Sequence, residues 1–109
     1  MGLCYPGRDR HGGDLPPIKG CAALWHPRLR LLMPRLKLTL LVGSYAQAYY
    51  LGKKRFPTLT ETVQNWQAYE PEFIPLPHPS WRNTAWLKRN PWFAADLLPL
   101  LRARVSSLL

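Results

Sequence analysis

Within residues 76–83 the chain reads Leu-Pro-His-Pro-Ser-Trp-Arg-Asn, so an imidazole, a hydroxyl, an indole, a guanidinium and an amide fall within six residues. His78 could serve as a general base, a metal ligand or an electrophilic N–H donor, or be a buried histidine satisfied by backbone. No HxH or HExxH pattern occurs and the three histidines lie far apart, which argues against zinc. A neutral imidazole N–H aimed at a developing oxyanion needs no adjacent carboxylate. Ser80, Arg82 and Asn83 suit phosphate or groove contacts, which position a nucleic-acid backbone rather than read its bases. Trp81 could stack on a base, wedge between base pairs or pack beneath the loop. A second candidate is Gly43-Ser44, where a hydroxyl and free backbone N–H groups open a helix. That arrangement suits a phosphate, although a simple helix cap has the same residues and the spacing is not that of a P-loop.

These groups need elements to hold them. Phe73–Leu76 has the composition of a strand, and Pro75 places it at an edge or an ending. Thr84–Arg89 is a helix candidate, so His78 lies on a proline-stiffened strand-to-helix connection. Leu36–Val42 is the clearest strand, and its apolar finish fits a parallel sheet covered on both faces. Gly43-Ser44 then turns into a helix over Tyr45–Leu51, with Gly52 as its C-terminal stop. Residues 1–5 read as the end of a strand and 8–20 as a long loop. Cys21–Met33 reads as a helix with Pro27 in a first turn or at a kink. Thr58 and Glu61 have capping-box spacing ahead of a short helix over Thr60–Trp66. Asn90-Pro91 starts a closing helix that Pro99 must interrupt. If the sheet is parallel, the loop after Tyr5, the Gly43-Ser44 turn and the His78–Asn83 stretch all leave carboxyl strand ends and line one crevice.

At 109 residues the chain is one domain. Thirteen aromatic residues, five of them tryptophan, argue for a packed core despite 12 prolines. The net charge of +9 is uneven: residues 1–55 carry ten basic and two acidic side chains, and residues 56–109 five and four. Such a basic half fits a polyanion partner such as nucleic acid, or a solubilising surface. No apolar run reaches membrane length and no signal-peptide pattern opens the chain, so a cytoplasmic or nucleoid-associated location is expected and no membrane partner. Two cysteines, Cys4 and Cys21, do not make a secreted disulfide framework. Six carboxylates are present, and none has a spacing that implies activation of a water molecule.

Four blocks in order carry a resemblance. His78-Pro79-Ser80 with Arg82-Asn83 resembles the second motif of the uracil-DNA glycosylase superfamily. Gly43-Ser44-Tyr45-Ala46-Gln47 resembles the strand-turn-helix before it. Residues 1–7 resemble the middle strand and loop of bacterial members. Asn90-Pro91-Trp92-Phe93 and Leu98-Pro99-Leu100-Leu101-Arg102 resemble the closing helix. The resemblance spans the chain and implies the C-terminal portion of a three-layer α/β/α domain with a central parallel sheet, N-terminally incomplete. It implies excision of uracil from DNA by base flipping. His78 would donate to uracil O2 as charge builds on the leaving base. Gly43, Ser44 and Ser80 would lie near phosphates, with Trp81, Arg82 and Asn83 on the loop at the DNA. Trp81 departs from the proline usual after the His-Pro-Ser triplet. The family's Gly-rich first motif is expected upstream of Met1. Cys4 and Cys21 resemble the second cysteine pair of the bacterial iron-sulfur branches, so a 4Fe-4S cluster is expected only with an upstream pair and not from this chain by itself. The other readings are a non-catalytic nucleic-acid-binding remnant and an α/β fragment that folds only with partner sequence.

Overall fold

The computed structural model describes residues 1–80 and 83–109. The expectations for Trp81 and Arg82 therefore lie outside the described residues. Two strands form, β1 (Thr39–Val42) and β2 (Phe73–Leu76), and they pair in parallel with Thr39 opposite Phe73 and Val42 opposite Leu76. Around them lie α1 (Cys21–Leu31), α2 (Ser44–Leu51), α3 (Leu59–Gln64), α4 (Thr84–Arg89) and α5 (Leu98–Leu108).

The pleat divides the sheet's residues between two apolar clusters. Leu41 packs with Leu51 and Tyr69, with Phe73 and Tyr50 alongside. Ile74 and Leu76 join Val63, Phe93 and Leu97 on the other side, with Trp66, Trp86 and Trp92 packed against them. Three of the five tryptophans thus border a core, and the rings of Trp86, Trp92 and Phe93 meet edge to face.

The ladder explains how Pro75 is tolerated. The Thr39 N–H donates to the Glu72 carbonyl at 2.9 Å and the Gly43 N–H to the Leu76 carbonyl at 2.9 Å. Even-numbered β2 residues therefore turn their backbone groups to β1, and Pro75 points its missing N–H away from the ladder. The same parity turns the backbone of Leu40 and Val42 to the opposite edge of β1, which has no strand partner among the described residues. Both side chains stay 40% exposed. Among the described residues the sheet has two strands, parallel as the resemblance implies.

Several expected boundaries move. Residues 1–5 form no strand: the Leu3 N–H is taken by the Cys21 thiol at 3.2 Å, and the Met1 carbonyl by His26 Nε2 at 2.8 Å. Those bonds tie the segment to α1 instead of to a ladder. A carbonyl only accepts, so Nε2 carries the proton and His26 Nδ1 accepts from the Tyr50 hydroxyl at 2.6 Å. Residues 36–38 stay outside β1, where the Leu36 N–H closes a turn onto the Met33 carbonyl. Pro27 is accommodated inside α1 rather than at its start. The Thr58 hydroxyl caps α3 by accepting the Glu61 N–H at 3.2 Å, as the capping spacing predicts. The closing helix passes through a wide turn over Phe93–Leu97, in which the Leu98 N–H reaches back to the Phe93 carbonyl, and Pro99 follows directly in the first turn of α5.

Candidate functional site

The parallel strands bring the Gly43-Ser44 turn and the His78 loop to their carboxyl ends, as the crevice rule requires, and the segment after Tyr5 joins them although residues 1–5 form no strand. They enclose a cavity of about 630 Å³, lined among others by Tyr5, Pro6, Asp14, Gly43, Ser44 and His78. That size lies within the range of roughly 300–1,000 Å³ usual for small-molecule sites.

Gly43 is where the fold and the site meet. Its φ of 86° lies in the region that favours glycine, so a side chain there would strain the turn. A Cβ on Gly43 would stand 3.9 Å from Cδ2 of His78, so the imidazole edge lies directly over the turn. The following residue opens α2, whose early N–H groups and positive dipole end face the same crevice. Ser44 is exposed there.

Gln47 holds this corner together, a role that its place in a helical run does not reveal. Its side chain is 2% exposed, and Nε2 donates to the Leu41 carbonyl at 3.2 Å and to the Leu76 carbonyl at 2.9 Å. One amide thus ties the two strand ends from which Gly43 and His78 depart. Changing Gln47 to Ala is expected to cost about 1–3 kcal/mol, since the Leu41 carbonyl loses its side-chain donor in a dry site. Urea denaturation measures this. Gln47→Glu is expected to be at least as destabilising, because it faces carboxylate oxygens with two carbonyl oxygens.

His78 is exposed, and its ring makes no hydrogen bond to another described residue. This removes the reading of a buried histidine satisfied by backbone. Its position is set through its own backbone: the His78 carbonyl accepts the Ser80 N–H at 2.8 Å and an N–H of the Asn83 side-chain amide. The Asn83 N–H closes onto the Ser80 carbonyl at 2.9 Å. Asn83 therefore uses one amide proton within the loop. Ser80 borders a second, apolar cavity of about 280 Å³ between this loop and α5, where Leu87, Phe93, Leu98 and Leu101 lie.

Asp14 supplies the only carboxylate among the described lining residues of the larger cavity. Asp9 is occupied, its Oδ1 accepting the His11 N–H at 2.8 Å and the Gly13 N–H at 3.0 Å. The hairpin this builds pairs Arg8 with Asp14 and presents Asp14 to the crevice, a placement that residue spacing does not reveal.

Cys4 and Cys21 come together, with their Sγ atoms 3.0 Å apart. Cys21 also accepts the Leu3 N–H, and the hydrogen bond it shares with Cys4 holds its thiol below the ordinary range. The same hydrogen bond pushes the Cys4 thiol up. At that separation the two sulfurs are a hydrogen-bonded thiol pair, and they would have to move apart to ligate separate metal atoms. The sequence holds no third cysteine, and no cluster of three metal-binding side chains occurs among the described residues.

The uracil DNA glycosylase superfamily model matches residues 2–102. The chain belongs to the uracil DNA glycosylase superfamily. The match covers the mouth of the crevice, both strands and α5 as far as Arg102.

Proposed function

We propose that this chain acts on uracil in DNA, hydrolysing its N-glycosidic bond as part of base excision repair. The observation that carries the reading is the placement of the His78 imidazole over Gly43, beside Ser44 and the N-terminus of α2, at the mouth of a cavity of small-molecule size. When the glycosidic bond breaks, its electron pair moves onto the base and negative charge gathers at a carbonyl oxygen. A neutral imidazole N–H directed at that oxygen stabilises the departing uracilate. The extrahelical nucleotide needs its flanking phosphates held, a role suited to the N–H groups of α2 with Ser44 and to Ser80. The hydrogen bonds that Ser80 and Asn83 donate to the His78 carbonyl hold the backbone from which the imidazole projects before substrate arrives, which lowers the ordering cost during the reaction.

Cys4 and Cys21 would hold two corners of an iron–sulfur cluster, with two further thiolates from outside these 109 residues.

The test is incubation of the protein with single- and double-stranded DNA carrying one uracil, followed by measurement of free uracil and abasic sites. Release of both products supports the reading. Retention of the DNA without either product supports instead a nucleic-acid-binding role with no chemistry.

A further inference from the structure

The excess positive charge is not gathered at the crevice. The loop bordering it carries Arg8, Arg10 and Lys19 against Asp9 and Asp14. Most of the remaining charge stands at the opposite, amino end of the sheet, brought there by three independent connections. Arg35 and Lys37 immediately precede β1. Helix α2 runs back from the crevice and delivers Lys53, Lys54 and Arg55, and the Lys54 carbonyl accepts the Tyr69 hydroxyl at 2.7 Å just ahead of β2. Helix α1 starts at the Cys4 wall and ends at this edge, where Arg30 reaches the Thr39 hydroxyl at 3.1 Å and Arg28 lies one turn away or less.

Two carboxylates flank the amino end of β2, and each has an arginine. Glu72 lies 3.8 Å from Arg30, and Glu70 lies 3.1 Å from Arg104. That leaves Arg28, Arg35, Lys37, Lys53, Lys54 and Arg55, all exposed and none in an ion pair among the described residues. Helix dipoles account for part of this, since the C-termini of α1 and α2 both favour a nearby cation. They do not account for six. Like charges spread around one edge repel one another and favour a polyanion that replaces their counterions.

We propose that this edge is a second nucleic-acid surface, binding the phosphate backbone of duplex DNA without regard to sequence or damage. It faces away from the crevice, so a straight duplex held here does not enter the His78 site. The surface would keep the protein on undamaged DNA while the crevice stays open to another segment.

The test is fluorescence anisotropy with a uracil-free duplex across a salt series, using the wild-type chain, the triple variant K53A/K54A/R55A, and R35A/K37A. A lost phosphate contact lowers the salt slope by about 1. The triple variant is therefore expected to lose about 2–3 from the slope and at least roughly tenfold in affinity at low salt, and R35A/K37A about 1–2. Circular dichroism melts verify that each variant is folded, and the double variant carries the test should the triple fail to fold. Uracil release from a short single strand, if the wild-type chain shows it, is expected to be unchanged in both. Wild-type duplex affinity and salt slope in the folded variants would overturn the proposal, including the case in which the edge serves an acidic protein. Absence of uracil release from every protein tested bears on the proposed activity alone.

Discussion

Replacement of His78 by alanine is expected to slow uracil release by about 10²–10³, close to 3–4 kcal/mol of transition-state stabilisation. The loss should fall on kcat, with KM little changed, because the imidazole meets full negative charge only as the base departs. Binding of undamaged duplex should be unaffected. His78→Gln keeps an N–H donor on a flexible stem and is expected to fall between the two. Single-turnover measurement of abasic sites separates these outcomes from changes in product release. A loss confined to KM would assign His78 to ground-state binding and remove it from the chemistry.

The second large effect is on the fold. Ile74 is 0% exposed at the middle of β2 and lies in the cluster with Val63, Phe93 and Leu97. Ile74→Ala is expected to cost about 2–5 kcal/mol, by lost transfer energy and the cavity left behind. Typical domains hold only about 5–15 kcal/mol. This one has a β1 edge without a strand partner among the described residues and two half-exposed side chains beside it. The variant is therefore expected to be largely unfolded at 37 °C. Leu31→Ala, at a side chain 82% exposed on α1, should change stability by less than about 0.5 kcal/mol. Urea titrations of the pair, followed by tryptophan fluorescence, check the contrast.

Local chemistry made much of this legible in the sequence. The Thr58–Glu61 cap, the Gly43-Ser44 turn and the strand over Phe73–Leu76 depend on neighbours in the chain, and the structure has each of them. The convergence of Gly43-Ser44 and His78 on one cavity followed from assuming parallel strands, whereas Tyr5 reaches it from a segment that forms no strand. What stayed hidden depends on partners far along the chain. Met1–Tyr5 has the composition of a strand end, but its backbone is claimed by Cys21 and His26. Gln47 is an unremarkable helical glutamine until two strand ends present it with carbonyls. Asp14 gains its place from a hairpin built by Asp9. The charge asymmetry was visible as numbers along the chain. Its position at the amino edge required the directions of α1 and α2.

The most direct test of the site uses the three histidines as reporters. Imidazole nitrogen resonances would be followed by NMR as the protein is titrated with a duplex containing one uracil on a sugar resistant to hydrolysis. His26 is tied to Tyr50 and the Met1 carbonyl, and His11 lies on the exposed loop, so both serve as internal references. The His78 resonances are expected to shift strongly with the uracil duplex and little with the same duplex carrying thymine, while His26 stays in place. His78 resonances that remain unmoved when the uracil duplex is saturating would contradict the placement of this imidazole beside the departing base.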